Sequence, residues 1–521
     1  MTKKTTIQNQ TTSHIALAVI LLIAVLGIAA QTFFGHSDVI QSGHALGSDD
    51  AYITYRYAEN FFNGNGLVFN PGERVEGYSN FLYLVLLTPG FLFGSENIYS
   101  FSVILNSVLY LITLLIFYQY CVKNLEKCKA IFGTALLGLN PWMWVNIAAG
   151  LETPLTLLIA TLALIATQNV ERNINGRSIC ILLIILSTSL FNRVDGFLLP
   201  AIVSMYFFIK NRPKLGLTIT VYSLALMGFY TLWRIHYYND VIANTYYAKI
   251  SETNLYSRVI ASTEYLVSNF LNTGLWAYMA IIVWVGVIQR RIRTLNFYWF
   301  FPFTWIGYLF CIGGDIYYER FLLVLFPYFV FTILSFNYRG ITTNSLGVIT
   351  SFLIVCQTLF VYSDGRFEYM YPKYDFLITL GKHLALHHSN SVIAIDAAGK
   401  APFFSGLQTI DVLGLNDKHI AKLDAKSFRF LSGHTKFDPD YVLSRNPDFI
   451  ISWLNEKRGF AWGMDVNKYA TKYEIKYLVN TTRQDLGTNI INASGLDDDE
   501  IASYVKKGFN YGVLSKKHPA P

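Results

Sequence analysis

The chain has 521 residues, 53% of them apolar and 14% charged, with a net charge of +7. A soluble domain carries roughly a quarter charged residues, so this deficit excludes a purely soluble protein and makes lipid the main solvent. The Lys and Arg residues sit in short clusters between apolar runs, which is a pattern of membrane topology rather than of nucleic-acid binding.

Met1 to Ser13 is polar and carries Lys3 and Lys4, and Ile15 to Ala30 is apolar. This resembles a signal peptide, but the run is long and no small-residue cleavage site precedes Gln31, so an uncleaved first span with its N-terminus inside is expected. A spanning helix needs roughly 20 apolar residues. Candidates lie at 14–34, 101–121, 130–148, 151–169, 178–192, 194–210, 214–235, 271–289, 295–313, 319–337 and 343–362, with a shorter run at 79–94 broken by Pro89-Gly90. If the spans alternate, four basic loops share one side: Lys123, Lys127 and Lys129; Arg172 and Arg177; Lys210, Arg212 and Lys214; Arg290, Arg291 and Arg293. The excess of Lys and Arg makes that side the cytoplasm. Segments 149–152, 193–196, 236–270, 313–318 and the C-terminal part then face outward. An inside N-terminus and an outside C-terminus require an odd number of crossings, and about eleven fits if 79–94 is re-entrant or interfacial.

From 363 onward the charge rises and the apolar runs shorten to strand length, at Ser391–Ile395, Asp448–Trp453 and Tyr473–Val479. The expected fold is therefore an α-helical polytopic membrane domain over 1–362, with a first outer loop at about 35–80, followed by a soluble mixed α/β extracytoplasmic domain over 363–521. The five cysteines lie in or beside apolar runs without metal-ligand spacing, so neither a disulfide framework nor a zinc site is expected. His387-His388 reads as a solvated pair at a helix end.

The first outer loop contains the densest chemistry. Ser48 or Asp49 can cap a helix, since their side-chain oxygens accept bonds from free N–H groups of the first turn. Tyr52, Tyr55 and Phe62 share a face at near-helical spacing, which suits a short helix on the membrane interface. Gly64 and Gly66 end it, and Asn70-Pro71-Gly72-Glu73 reads as a turn. Asp49 and Asp50 have two readings: they cap that helix and favour its dipole, or one is a catalytic carboxylate that takes a proton from an attacking sugar hydroxyl. A second carboxylate beside the first can raise one pKa or bind a cation; metal dependence stays open.

The loop resembles a known family. Asp49-Asp50-Ala51-Tyr52-Ile53, Arg56-Tyr57-Ala58 and the long stretch from Gly66 to Tyr78 are similar to the GT-C glycosyltransferases that use polyprenyl-phosphate sugars, above all the AftB-like arabinofuranosyltransferase branch. Gly150-Leu151-Glu152-Thr153-Pro154-Leu155, Asn244 to Lys249, Gly313-Gly314-Asp315 with Arg320-Phe321-Leu322-Leu323, and Asp411-Val412-Leu413-Gly414-Leu415 follow in the family's order. Arg193-Val194-Asp195-Gly196 is similar to a family Arg-Pro-Asp-Gly, with Val at the Pro position. The resemblance implies a lipid-linked sugar donor, catalysis on the outer face of the bacterial cytoplasmic membrane, toward the periplasm or cell exterior, and Asp49 as the first choice for the catalytic carboxylate with Asp50 its neighbour. The expected activity is transfer of a hexose or pentose, with arabinofuranose the sugar of the nearest branch, to an envelope glycan, glycolipid or pilin-like surface protein.

Glu152, Arg193, Asp195, Lys249, Asp315 and Arg320 all fall at outer ends of spans, so they can converge on the first loop. Charge buried in lipid is costly and marks cavities or pairs. The leaving group is a lipid phosphate, for which Arg supplies a fork of donors; Arg320, Arg193, Lys249, Arg56 and Arg74 are the candidates. Glu152, Asp195, Tyr246, Tyr247, Asp315 and Glu76 are the candidate substrate contacts. The plain alternatives are ion pairing at helix ends for Arg193–Asp195 and Asp315–Arg320, and interfacial anchoring for Tyr246 and Tyr247. Two rival functions remain, a lipid-linked saccharide flippase, which should show inverted repeats, and a non-catalytic glycan-binding protein. The topology has a direct test at Cys128, in the first basic loop: a membrane-impermeant maleimide should label it only after the cells are permeabilised, and labelling of intact cells would reverse the orientation.

Overall fold

The computed structural model describes residues 2–34, 47–283, 296–316, 319–335, 343–363, 375–427, 429–482 and 489–517. The Arg290, Arg291 and Arg293 cluster lies outside them.

Among the described residues four helices are long and apolar enough to cross a membrane, Ser13–Thr32, Ser95–Asn124, Thr153–Arg172 and Pro213–Tyr238, or five if the bent pair Leu255–Asn272 and Leu275–Val283 counts as one span. The four match the expected spans 14–34, 101–121, 151–169 and 214–235. Others are shorter, including Gly176–Asn192, Leu198–Ile209, Phe297–Ile312 and Arg320–Ser335. The expected span 130–148 is broken into Lys127–Gly138 and Pro141–Ala148. Pro141 lacks the N–H a continuous helix needs, and the Asn140 side chain restarts the helix by accepting from the Trp142 N–H at 3.0 Å. The run at 79–94 is likewise interrupted: helix Phe81–Leu87 tightens into a 3₁₀ turn over Thr88–Phe93 at Pro89-Gly90. A larger departure lies in 236–270, read from sequence as an outer loop. It contains the helices Asn244–Lys249 and Leu255–Asn272, and the latter bends by 87° into Leu275–Val283.

Three of the basic loops adjoin one another. Lys210 pairs with Glu171 at 2.8 Å, Tyr206 donates to the same Glu171, and Arg172 bonds Asn124. The opposite ends of the same helices meet the first outer loop, so the alternation of loops holds locally. Cys121, Cys128, Cys180, Cys311 and Cys356 are free thiols.

The C-terminal part is a mixed sheet in the order β2-β1-β3-β6-β4-β5, with β1 Val392–Ile395, β2 Gln408–Asp411, β3 Phe449–Trp453, β4 Tyr473–Val479, β5 Ile490–Asn492 and β6 Tyr511–Lys516. β1 pairs in parallel with β2 and β3, and the remaining pairs are antiparallel. Side chains alternate across a strand, so Ile393 and Ile395 pack with Leu380 and Leu384 of helix Phe376–His387, while Ala394 joins Ile420, Val442 and Met464 on the other face. His388, expected in solvent, instead packs on Phe449 and meets the Tyr477 hydroxyl at 3.1 Å.

The first-loop helix, Asp49–Phe62, is where the two parts join. It does not lie on the membrane interface as the aromatic spacing suggested: Tyr52 and Tyr55 are fully buried, with Tyr52 against the Phe403 and Phe404 rings at 5.4 and 5.5 Å. Only its C-terminal Phe61 and Phe62 are exposed. Arg56 spends its guanidinium on this joint. It donates to the carbonyls of Phe69 at 2.7 Å, Pro402 at 2.6 Å and Leu407 at 2.6 Å, and to Asn70 Oδ1 at 3.1 Å. Leaving a buried acceptor without its donor costs about 1–3 kcal/mol. Arg56→Met keeps the stem and removes every donor, so thermal unfolding of the purified protein should drop by several degrees; an unchanged midpoint would show that the joint does not rest on Arg56.

Candidate active site

Successive residues on a helix are about 100° apart, so the two acids at the start of Asp49–Phe62 face different ways. Ser48 holds the helix N-cap in extended geometry, but its hydroxyl and N–H both bond the Ala149 carbonyl and its side chain does not cap the helix. Asp49 does cap a helix, though not its own. Its carboxylate accepts from the Gly399 and Lys400 N–H groups at 3.0 and 2.7 Å, at the start of helix Lys400–Ser405 in the soluble domain. The approach is so close that a Cβ on Gly399 would sit 1.9 Å from the Asp49 carbonyl. Burial pushes the Asp49 carboxyl up to about 7, against the pull of the Lys400 N–H and of the Lys400 charge. Lys400 in turn forms a buried pair with Asp375.

Asp50 borders a polar cleft, together with Thr54, Ser79, Asn80, Glu152, Thr245, Lys249, Arg320 and Leu415. The structure thus brings three sequence-predicted groups, Glu152, Lys249 and Arg320, to Asp50 and directs Asp49 away from them. One wall is a run of hydrogen bonds. Thr54, one turn after Asp50, donates to Asn80 Oδ1 at 3.1 Å, and the Asn80 amide donates to Glu152 Oε2 at 3.0 Å. Glu152 pairs with Arg193, and Arg193 pairs with Asp195 at 2.8 Å. Asp195 also accepts from the Tyr308 hydroxyl at 2.8 Å. Arg193 and Asp195 border a second cavity behind this wall, whose far side is Ile159, Leu199, Phe301 and Trp305. Arg320 stands next to this wall, sharing the Phe321 ring with Arg193, and is fixed by its pair with Asp315.

The remaining candidates stand elsewhere. Arg56 leaves the phosphate-binding set, because its donors are spent on the joint described above. Arg74 is exposed and lies over the Tyr237 ring at 4.8 Å, outside the cleft. Glu76 is buried beside Gly77 and pairs with Arg234 of the span Pro213–Tyr238. Tyr246 and Tyr247 do not line the cleft; Thr245 does. Tyr247 supports Lys422 over its ring at 4.8 Å. Sequence reasoning missed Thr54, Asn80, Thr245 and Arg234. The signal for Asn80 was its place as the last polar residue before an apolar helix.

The Asp411 to Leu415 motif proves to be a loop brace. Asp411 accepts from the N–H groups of Leu413 and Asn416 at 3.0 and 2.9 Å, which holds Leu415 over the cleft. Asn244 Nδ2 bonds the Gly414 and Leu415 carbonyls, both at 2.9 Å. Gly77 completes the closure, since a Cβ there would stand 2.0 Å from Asn416 Oδ1. Among the described residues no group of three or more His, Cys, Asp or Glu side chains is placed to share a metal ion.

A family model described as a domain of unknown function (DUF8728) matches residues 370–487. No curated protein matches the chain by sequence. In three dimensions the chain is similar to ArnT from Cupriavidus metallidurans bound to undecaprenyl phosphate, with a TM-score of 0.56 and 9% identity over 96% of this chain and 97% of that one. It is also similar to the Archaeoglobus fulgidus oligosaccharyltransferase in complex with Zn and sulfate, with a TM-score of 0.51 and 11% identity over 91% of this chain and 74% of that one. The same enzyme tethered to an acceptor peptide containing the NVT sequon gives 0.52 and 11% over 91% and 75%. These identities speak for the fold alone: the chain shares the fold of these proteins.

Glu152 is only 2% exposed, and removing one partner of such a pair costs about 3–5 kcal/mol, because the other charge stays buried. Arg193→Leu should therefore destabilise strongly, and Glu152→Gln with Arg193→Leu should recover much of the loss. Equal midpoints for the single and double variants in thermal unfolding would refute the coupling.

Proposed function

We propose that this protein is a membrane glycosyltransferase that moves a sugar from a polyprenyl phosphate to an acceptor hydroxyl. The observation that carries the reading is the cleft in which the Asp50 carboxylate shares one polar chamber with the cations Arg320 and Lys249. In the proposed reaction Asp50 takes the acceptor proton, the acceptor oxygen bonds to the anomeric carbon, and the bond from that carbon to the phosphate oxygen breaks. Charge then develops on the lipid phosphate. Fixed cations in a site shielded from water stabilise such charge far better than solvent does, and this is the role of Arg320 and Lys249. Asp315 positions Arg320, and the Thr54–Asn80–Glu152–Arg193 wall stands beside it.

The likeness to ArnT bound to undecaprenyl phosphate supports a polyprenyl-linked donor, and the acceptor peptide tethered to the oligosaccharyltransferase supports a separate acceptor. The first-loop motif supports arabinofuranose as the sugar. An envelope glycan, glycolipid or surface protein is the acceptor in this reading, on the outer face of the bacterial cytoplasmic membrane. Polar motifs gathered at one end of the helices speak against the flippase alternative, for which paired broken helices near the midplane are expected.

Asp50 takes the role that family likeness gave to Asp49, because Asp50 and not Asp49 lines the cleft with Arg320 and Lys249. A second reading keeps Asp49 as the base, and one observation favours it: a carboxyl near 7 is matched to proton transfer at neutral pH. Transfer by purified protein from defined polyprenyl-phosphate sugars separates the two. With Asp50 as base, Asp50→Asn loses about 10²–10⁴ in rate and keeps its unfolding midpoint. Asp49→Asn keeps most of the transfer rate but changes stability. In the wild type the contribution of the protonated Asp49 is full below pH about 4 and is lost as pH rises to about 7; the variant lacks that slope. The reverse pattern of rates would make Asp49 the base. Wild-type rates from both variants would reject the acid pair altogether, and no transfer from any donor by folded protein would favour a binding role.

A further inference from the structure

Helix Leu255–Asn272, in the segment expected to be an outer loop, is built inside out. Its buried residues are Ser257, Ser262, Tyr265, Leu266 and Asn269, whereas Leu255, Tyr256, Val259, Ile260, Val267 and Leu271 are exposed, by 38–65%. At 100° per residue these six fall within about 160° of one another and form a mainly apolar face, with Thr263 within it and Glu264 at its edge. The inward polar groups are satisfied by the neighbouring helix Phe297–Ile312. Ser262 donates to the Leu309 carbonyl at 2.7 Å, and Arg258 to the Cys311 carbonyl at 2.8 Å. That neighbour presents Phe303 and Phe310 outward as well, 59% and 37% exposed, so the apolar face of the loop helix continues the face of an expected span. A helix that turns its polar side to protein and its apolar side outward is stable only against hydrocarbon.

Two sets of contacts fix its depth. The soluble domain reaches it from above: the Ala425 N–H meets the Glu252 carbonyl just before the helix starts, and Arg429 lies 3.7 Å from Glu264 at its middle. At its far end the Asn272 carbonyl accepts from Trp142 Nε1 at 3.1 Å. Trp142 begins the helix Pro141–Ala148, whose other end adjoins Ala149 and Ser48 at the cleft. Helix Pro141–Ala148 is about 12 Å long and Leu255–Asn272 about 27 Å, against roughly 15 Å for one leaflet.

We propose that Leu255–Asn272 lies obliquely in the bilayer leaflet beneath the soluble domain, with its apolar face on the acyl chains and its inner face supporting the site. Its partner is the lipid bilayer itself. Tyr265, on the inner face, packs so closely on Gly314 that a Cβ there would stand 2.6 Å from the ring; Gly314 immediately precedes Asp315, the residue that fixes Arg320. The proposal does not depend on the transfer reaction. It is tested on the full-length protein in phospholipid nanodiscs, with a nitroxide-bearing amino acid introduced at Val259, Val267 and Leu271 one at a time. Each nitroxide should be relaxed by oxygen more than by a water-soluble nickel chelate, at depths no greater than about 15 Å and increasing from Val259 to Leu271. Preferential relaxation by the nickel chelate at all three would make the helix aqueous, and a Leu271 label beyond the bilayer centre would make it a full span; either result overturns the proposal.

Discussion

Everything in the site depends on one clamp. The first-loop helix Asp49–Phe62 is gripped by the C-terminal α/β domain on one side and by the ends of the long apolar helices on the other. Asp49 caps a helix of the soluble domain, Arg56 binds the Pro402 and Leu407 carbonyls, and Tyr52 meets two phenylalanine rings. Charged and aromatic groups this deeply buried are tolerated because each polar atom finds a partner. The clamp leaves Asp50 at the cleft, beside Thr54, and so turns adjacency in sequence into a division of labour.

The second structural principle is charge compensation at the span ends. Acidic and basic residues there would be costly in a low dielectric if they stood alone. They form the Glu152–Arg193–Asp195 and Asp315–Arg320 sets instead. The ion pairs read as a plain alternative to function are present, and two of their members, Glu152 and Arg320, also border the cleft. Pairing and a role in the site are therefore compatible: a guanidinium held by one carboxylate is a rigid donor for a second anion.

Much of this was legible in the chain itself. Apolar length located four of the long helices, and the basic loops placed Glu152, Lys249 and Arg320 on the side of Asp50. Strand-length runs identified β1, β3 and β4. What escaped was set by distance in sequence or by mixed composition. The partners of Asp49 lie 350 and 351 residues away, beyond any local pattern, so nothing in the motif said which acid faced the cleft. Helix Leu255–Asn272 was missed because its inward Ser257, Ser262 and Asn269 dilute the hydropathy of its outward residues. The aromatic face of Asp49–Phe62 was read correctly as apolar but assigned the wrong neighbour, since lipid and a buried phenylalanine pair ask the same of a tyrosine ring.

The close approach of Gly77 to Asn416 has a consequence in time rather than in space. Asp50, Thr54 and Asn80 are made within the first eighty residues, whereas Leu415, over the cleft, leaves the ribosome only after the segments that carry Glu152, Lys249 and Arg320. During synthesis the membrane helices are inserted while Asp50 still has no cover. The chamber comes into being only when the C-terminal domain has folded and settled onto the first loop. A truncated or stalled chain thus carries every membrane helix and the whole acidic motif, yet lacks the enclosure in which those groups act together.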